Sequence, residues 1–428
     1  MRIAHLAAGA GGMYCGACAR DTMLARGLMA RGHDVQIIPL YTPLRFDGSE
    51  PLPTSRIFLG GVNAYLEQYV PVWRYLPRSI RRALDHPRLL EWVSRFAVST
   101  RAGDLGPMIV SVLRGMGGNH AGVFGELMDY LHAMARPDLV SITNSLLTGV
   151  APEIKRRMGT PIVCGLQGED TFVNSAPEPF RSQAIEQMRK NAQAVDMFLS
   201  PGEAYAATMA DFLGVPRERV RVTRVGVDAQ AFRADARTRP FPFTVGFLSV
   251  ITPLKGLDIL VDALLRLHQR GRELELAIAG KVLDRSYWLS LVRRLDDAGL
   301  ADRMRYAGEV TFAQKVRFLH GCSAFCMPSR QPETRAVAAL EAQAAGLPVV
   351  VPNAGIFPEM LALTQGGVLF EPGNSESLAD AIERLMEDPE ATLRIGEAAA
   401  AGVSLHFRPE RLTEETLEAI RDVLGSRV

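Results

Sequence analysis

Short apolar runs alternate with helix-length stretches along this chain, and the pattern starts again after position 243. That repetition restricts the fold more than any other feature. The first series opens with an apolar run at 3–7, the glycine loop Gly9-Ala10-Gly11-Gly12, a helical stretch at 20–31 and a second run at 35–39. Further strand-like runs follow at 139–143, 162–166, 197–200 and 220–224. The second series has strands at 244–250, 275–279, 304–308, 324–327 and 348–351, with helices at 257–270, 286–298, 312–320 and 377–388. A terminal helix begins at about Pro409. Strands separated by helices pair in parallel, and such sheets bind ligands beyond the carboxyl ends of their strands. At 428 residues the chain exceeds one ordinary core, which agrees with two domains.

Composition excludes several classes. Hydrophobic residues make up 47% and charged residues 22%, the balance of a globular protein. Net charge is +1, so nothing global favours nucleic acid as a partner. No apolar run approaches the roughly 20 residues that span a bilayer. The start, Met1 to Leu6, a short apolar run soon broken by the glycines from Gly9 on, reads as a first buried strand and not as a signal peptide. Five cysteines, an odd number in a long chain, fit a reducing cytoplasm. Cys15 and Cys18 form a C-x-x-C pair at a helix start, where a thiolate is stabilised. Without a second pair to complete a zinc site, tight packing of small residues is the simpler reading.

The residues with the clearest chemistry are Glu333 and Glu341, eight apart between Pro328-Ser329 and the helix stop at Gly346. Val337, Leu340 and Ala344 form the apolar stripe of the helix between these stops, and Glu341 falls on the same stripe. A carboxylate on a buried face is costly unless something hydrogen-bonds it. Eight helical residues rise roughly 12 Å, which places Glu333 near the N-terminus and Glu341 deeper. The N-terminus between them attracts phosphate through its free N–H groups and its dipole. Sugar hydroxyls at Glu333, diphosphate at the helix start and ribose near Glu341 would use all three features. From spacing alone, the pair also fits a capping carboxylate and a solvent-facing glutamate.

The run Pro-Ser…Glu333…Leu340-Glu341-Ala342…Gly346-Leu347-Pro348-Val349-Val350, followed by Gly355-Ile356-Phe357-Pro358-Glu359, resembles the family 4 retaining glycosyltransferases. The resemblance extends along nearly the whole chain. It implies the α/β GT-B fold, two Rossmann-like parallel-sheet domains facing across a cleft, with a nucleotide-diphosphate sugar as donor substrate and no cofactor or metal. Gly226-Val227-Asp228…Phe232 resembles the segment that closes the family's first domain. The implied division is 1–235 for the acceptor-side domain, 236–408 for the donor domain, and 409–428 for a helix crossing back to the first. The Arg- and Pro-rich stretch 234–243 is the candidate linker.

Residue by residue, the resemblance assigns catalytic roles to Glu333, Lys255 and Gln167. Lys255, in Thr252-Pro253-Leu254-Lys255-Gly256, matches the family's diphosphate lysine. Gln167 stands where many relatives carry a histidine near the reacting sugar. An amide can hold a hydroxyl but cannot shuttle protons as imidazole does. Glu169 and Asp170 are then candidate acceptor ligands. Gly11 and Gly12 match a loop that approaches the donor phosphates, Lys281 one that touches phosphate, and Glu309 and Val310 one that borders the base. Backbone N–H groups of Ala336 and Val337 would donate to phosphate.

Besides Gln167, two further places depart from the family pattern. Val250 replaces the usual arginine of the diphosphate clamp, and Thr334-Arg335-Ala336 replaces a segment that usually carries glycine after the first glutamate. Arg335 is a candidate replacement for the missing cation. A helical insertion at about 64–116 departs from a minimal first domain. Between 71 and 101, Trp73, Tyr75, Trp92 and Phe96 interleave with seven arginines, so this stretch offers peripheral membrane contact or binding of an anionic acceptor. An amphipathic helical cap with solvated arginines is the simpler reading of the same stretch. The expected acceptor is a sugar, a lipid-linked molecule or a small molecule, and the expected location cytoplasmic with optional membrane association. A nucleotide-sugar 2-epimerase and a non-catalytic nucleotide-sugar-binding protein remain as alternatives.

Overall fold

The computed structural model describes residues 1–9, 16–41, 58, 68, 102–133, 136–233 and 241–425. The glycine pair Gly11 and Gly12, Cys15, the basic aromatic stretch 71–101 and most of the linker at 234–240 lie outside the described residues. The chain divides into two compact units, Met1–Arg224 with Leu412–Val428, and Val225–Arg411.

The first unit runs β1 (Arg2–Ala7), α1 (Gly16–Ala30), β2 (Asp34–Pro39), α2 (Ala102–Leu113), α3 (Ala121–Ala133) and β3 (Leu139–Ile142). It continues with α4 (Ala151–Met158), β4 (Ile162–Gly165), α5 (Glu169–Asn174), α6 (Phe180–Ala192), β5 (Met197–Ser200), α7 (Glu203–Leu213) and β6 (Val220–Val222). The described strands form one six-stranded sheet in the order β2-β1-β3-β4-β5-β6. Every pairing is parallel, with Leu6 opposite Ile38 on one side and Ile142 on the other. β3, β4 and β5 are buried along their whole length, which is why they read as continuous apolar runs. One face of the sheet packs on Leu127, Leu131, Met188 and Phe124. The other packs on Leu24 and Leu28 of α1 and on Leu412, Leu417, Ile420 and Val423 from the end of the chain. Val110, Val112 and Leu113 of α2, within the expected insertion, are part of this core.

The second unit begins with β7 (Phe243–Leu248), α8 (Leu257–Gln269), β8 (Leu274–Ala279), α9 (Arg285–Asp297), β9 (Met304–Tyr306) and α10 (Phe312–His320). It goes on through β10 (Ala324–Cys326), α11 (Val337–Ala344), β11 (Val349–Pro352), α12 (Phe357–Thr364), β12 (Gly367–Phe370), α13 (Ser375–Glu387) and α14 (Pro389–His406). α15 (Pro409–Gly425) starts here and passes into the first unit at Leu412. The sheet order is β12-β11-β10-β7-β8-β9, again all parallel, with Val245 of β7 opposite Ala324 on one side and Leu276 on the other. α8 shows how the sequence positions these helices. Leu257, Leu260, Val261, Leu264 and Leu267 recur at helical spacing and are buried against the sheet, while charged residues take the outer face.

α11 is shorter than its sequence suggests. Ala336 sits in the left-handed region (φ 48°, ψ 36°) and Val337 is the first helical residue. Pro332 cannot continue a hydrogen-bonded turn, and the left-handed Ala336 breaks any helix reaching back to Glu333. Glu333 therefore lies in the loop before the helix, and the eight residues to Glu341 are only partly helical. The helix start still falls between the two glutamates.

Candidate functional site

In the second unit the chain leaves β7 towards β8 and β9, then returns to place β10 on β7's other side. The point between β7 and β10 is where strand order reverses, so their carboxyl-end loops diverge around a crevice. The loop after β7 carries Lys255 and the loop after β10 carries Glu333. Lys255 ends a short 3-10 turn, Pro253–Lys255, and Gly256 follows at φ 70°. A Cβ on Gly256 would stand 1.9 Å from the Pro328 carbonyl oxygen, so only glycine lets the two loops approach this closely. Lys255 Nζ donates to Glu333 Oε1 at 2.5 Å, and both side chains are largely buried.

The Glu333 backbone is held from the loop after β11. Ile356 N–H donates to the Glu333 carbonyl at 2.8 Å, and a Cβ on Gly355 (φ 60°) would stand 2.5 Å from the same oxygen. The first amide of α11 to bond backwards is that of Leu340, to Ala336 O at 3.0 Å. The amides of residues 337–339 thus have no acceptor inside the helix, the ordinary condition of a helix start that accepts an anion.

Glu341 is 6% exposed, and its partner is Lys315 of α10, with Nζ 2.5 Å from Oε1. The Lys315 ammonium also lies 5.2 Å from the Phe312 ring centroid and 5.4 Å from that of Phe232. This lysine answers the cost of a carboxylate on a buried helix face. Lys281 and Glu309 are both exposed and 3.8 Å apart, and Val310 is half-buried beside Glu309. Arg335 is half-buried in the loop before α11, and Val250 is 39% exposed in the loop after β7.

Sequence reasoning missed Arg330. Its guanidinium takes both oxygens of Asp258 in the first turn of α8, through Nη1 to Oδ1 at 2.6 Å and through Nη2 to Oδ2. Tyr287 donates to Asp258 Oδ1 at 2.5 Å and accepts from the Asp258 N–H at 2.8 Å. Burial pushes the Asp258 carboxyl up, but the hydrogen bonds from Arg330 and Tyr287 outweigh it and hold the group below its ordinary range. Lys315 was missed for the same reason. Asp258 and Arg330 are 72 residues apart, Lys315 and Glu341 26, and no local pattern marks such pairs.

The first unit has its reversal between β1 and β3. Gln167, beyond β4, donates from Nε2 to the Thr143 carbonyl at 2.7 Å and to Thr143 Oγ1 at 3.0 Å. Thr143 in turn donates to Asp21 Oδ2 at 2.6 Å. His5 Nε2 and Arg20 Nη1 lie 3.4 and 3.6 Å from Asp21 Oδ1. Burial alone would raise the Asp21 carboxyl, and His5, Arg20 and the Thr143 hydroxyl together hold it lowered. Glu169 is 4% exposed and accepts from the backbone amides of Ser145 at 2.9 Å and Gln167 at 2.7 Å, so its carboxylate shapes the loop bearing Gln167. Asp170 accepts from Tyr205 OH at 2.7 Å. Cys18, Cys164, Cys322 and Cys326 are buried, and burial raises the thiols of the last three. Among the described residues no cluster of three or more His, Cys, Asp or Glu is placed to hold a metal, and no helix is long and apolar enough to cross a membrane.

Comparison with known proteins places these loops in a family. The model described as "Glycosyl transferases group 1" matches residues 228–401, and "Glycosyl transferase 4-like domain" matches residues 16–226. A D-inositol 3-phosphate glycosyltransferase of Paenarthrobacter aurescens is 30% identical over 296 residues, 65% of this chain and 71% of that protein. A GDP-mannose-dependent alpha-(1-6)-phosphatidylinositol monomannoside mannosyltransferase of Mycobacterium tuberculosis is 29% identical over 213 residues, 46% of this chain and 54% of that one. This second match spans only about half of the relative's length. Among solved structures, Anabaena HepE in complex with UDP superposes with a TM-score of 0.69 at 19% identity, covering 99% of this chain and 100% of that one. Sucrose-phosphate synthase from Thermosynechococcus elongatus gives 0.71 at 17% identity, with 99% of each chain covered. Both likenesses show the GT-B fold. With both family models matched and the Paenarthrobacter relative covered over most of its length, the chain belongs to the group 1, family 4 glycosyltransferases.

Proposed function

We propose that this glycosyltransferase is retaining and metal-independent, and that it takes its sugar from a nucleotide-diphosphate sugar. The observation that carries the reading is the Lys255–Glu333 pair at the β7/β10 reversal, beside the N-terminus of α11. In this reading the diphosphate lies on the amides of residues 337–339 with Lys255 against its outer phosphate. Glu333 accepts hydroxyls of the transferred sugar, and Glu341, held by Lys315, accepts those of the ribose. Arg335 adds a cation from the loop before α11, Lys281 reaches phosphate, and Glu309 with Val310 borders the base. In the first unit Gln167 holds a sugar hydroxyl and Asp170 binds the acceptor, while the role expected of Gly11 and Gly12 lies outside the described residues.

The acceptor hydroxyl attacks the anomeric carbon from the face the diphosphate leaves. The bond between that carbon and the phosphate oxygen breaks, the new glycosidic bond forms, and the departing phosphate takes the hydroxyl proton. Negative charge grows on the leaving phosphate, so a fixed lysine and helix amides are worth most in the transition state. The fold neighbour HepE was solved with UDP, and curated relatives act on inositol phosphate or phosphatidylinositol mannoside by name. Those names support a nucleoside diphosphate as donor carrier and a polyol or lipid-linked glycan as acceptor.

The test is release of nucleoside diphosphate from UDP-, GDP-, ADP- and TDP-sugars, with and without polyol and glycolipid acceptors. The anomeric configuration of the product is read by NMR. Acceptor-dependent release with retained configuration is expected. Release without acceptor alongside a C2 epimer would instead identify an epimerase, and binding with no turnover a non-catalytic protein.

A further inference from the structure

We propose that Arg330 is a positioning residue that sets Lys255 against the donor diphosphate without touching the donor itself; this rests on the assignment of Lys255 above. Arg330 joins the loops on both sides of the crevice at four points. Its N–H donates to the Leu254 carbonyl at 2.9 Å, and its Nη1 donates to the Pro253 carbonyl at 2.8 Å. The guanidinium also takes both carboxylate oxygens of Asp258. Pro253, Leu254 and Asp258 flank Lys255 in sequence, so the turn carrying the lysine is gripped before and after it. The Pro328 carbonyl packed on Gly256 closes the same junction from the other side.

The geometry also explains why Arg330 is not itself the missing phosphate clamp. A guanidinium grips phosphate through two parallel N–H donors, and here that fork is engaged by Asp258. Tyr287 shares Asp258 Oδ1 with Arg330 and also accepts from the Asp258 N–H, so releasing Arg330 would break a connected set of hydrogen bonds. With Val250 in place of the clamp arginine, Lys255 has no neighbouring cation on its own loop to share the diphosphate. Its position matters correspondingly more, and a shift near 1 Å in a charged contact is felt strongly in rate.

The test is a double-mutant cycle on the full chain, using whichever of UDP, GDP, ADP and TDP raises the melting temperature most. Affinities of the diphosphate and the matching monophosphate are measured by calorimetry, and transfer by single turnover. Arg330→Ala should weaken diphosphate binding about tenfold and monophosphate binding less than threefold, a split that general loosening of the fold does not produce. In a Lys255→Ala background, Arg330→Ala should have less than a twofold further effect, because positions acting through one another are not additive. Asp258→Asn should reproduce the split, and it serves as the second variant if Arg330→Ala melts too low to assay. Equal losses from Arg330→Ala in both backgrounds, or equal losses of mono- and diphosphate, would overturn the proposal. If Lys255→Ala alone leaves diphosphate binding and transfer intact, the assignment of Lys255 falls and the proposal with it, a result distinguishable because Arg330 need not be varied to see it.

Discussion

Lys255 and Glu333 neutralise each other at 2.5 Å, yet the proposed reaction needs each for a different part of the donor. A diphosphate must draw Lys255 from the carboxylate, and the sugar must then satisfy Glu333. Glu333→Gln should therefore bind free nucleoside diphosphate more tightly, by on the order of 1 kcal/mol or about fivefold, while binding the nucleotide sugar no better than the native chain. Calorimetry with both ligands decides it, and weakened diphosphate binding in a folded variant would show that the pair only braces the loops. Asp21 makes a different residue-scale prediction. Its folded pKa is lowered, so it stabilises the fold fully above its unfolded value of about 3.9 and loses that contribution as pH falls through the lowered folded value. Asp21→Asn should reduce stability at neutral pH and flatten the loss below about pH 4. Urea unfolding at a series of pH values measures the slope, and an unchanged acid limb would remove Asp21 from the first unit's pH response.

At the scale of elements, the chain was legible wherever periodicity is strong. The helix expected at 257–270 is Leu257–Gln269, and the strand expected at 275–279 is Leu274–Ala279. The edge strand Gly367–Phe370 gave no such signal, being four residues long with only Phe370 fully buried. The helix Pro389–His406 was hidden by an alanine-rich stretch whose small side chains mark no face clearly. The site was legible as motif positions, not as partners, since Lys315 and Arg330 reach their carboxylates from other elements. The Lys315–Glu341 pair joins α10 to α11 with both side chains 7% exposed. Lys315→Met leaves a buried carboxylate uncompensated and should cost about 3–5 kcal/mol. Lys315→Met with Glu341→Leu removes both charges and should recover most of that stability. Nucleoside diphosphate affinity should stay low in the double variant if Glu341 holds the ribose. Denaturant unfolding and calorimetry separate the two effects, and recovery of affinity along with stability would deny Glu341 that role.

For the whole molecule, sequence order and structural unit part company at the end of the chain. Leu412, Leu417, Ile420 and Val423 complete the first unit's core although the second unit lies between them and β6 in sequence. Arg224 ties this return down, donating to Glu415 through its backbone N–H at 2.7 Å and its side chain at 2.5 Å. Each large apolar side chain buried there contributes about 1.5–3 kcal/mol, so the four together approach the 5–15 kcal/mol that holds an ordinary domain folded. Ending the chain after Arg411 should therefore unfold the first unit and leave the second, whose core lies within Val225–Arg411, able to melt cooperatively. The described residues assigned here to the diphosphate, Lys255, Lys281, Arg335 and the amides of residues 337–339, all lie in that second unit. Scanning calorimetry of the shortened chain should show one transition, raised by the nucleoside diphosphate by roughly 2.7 kcal/mol at a hundredfold excess over its dissociation constant. Loss of every cooperative transition would mean that the second unit does not stand alone. A transition indifferent to the nucleotide would mean that the diphosphate site needs residues of the first.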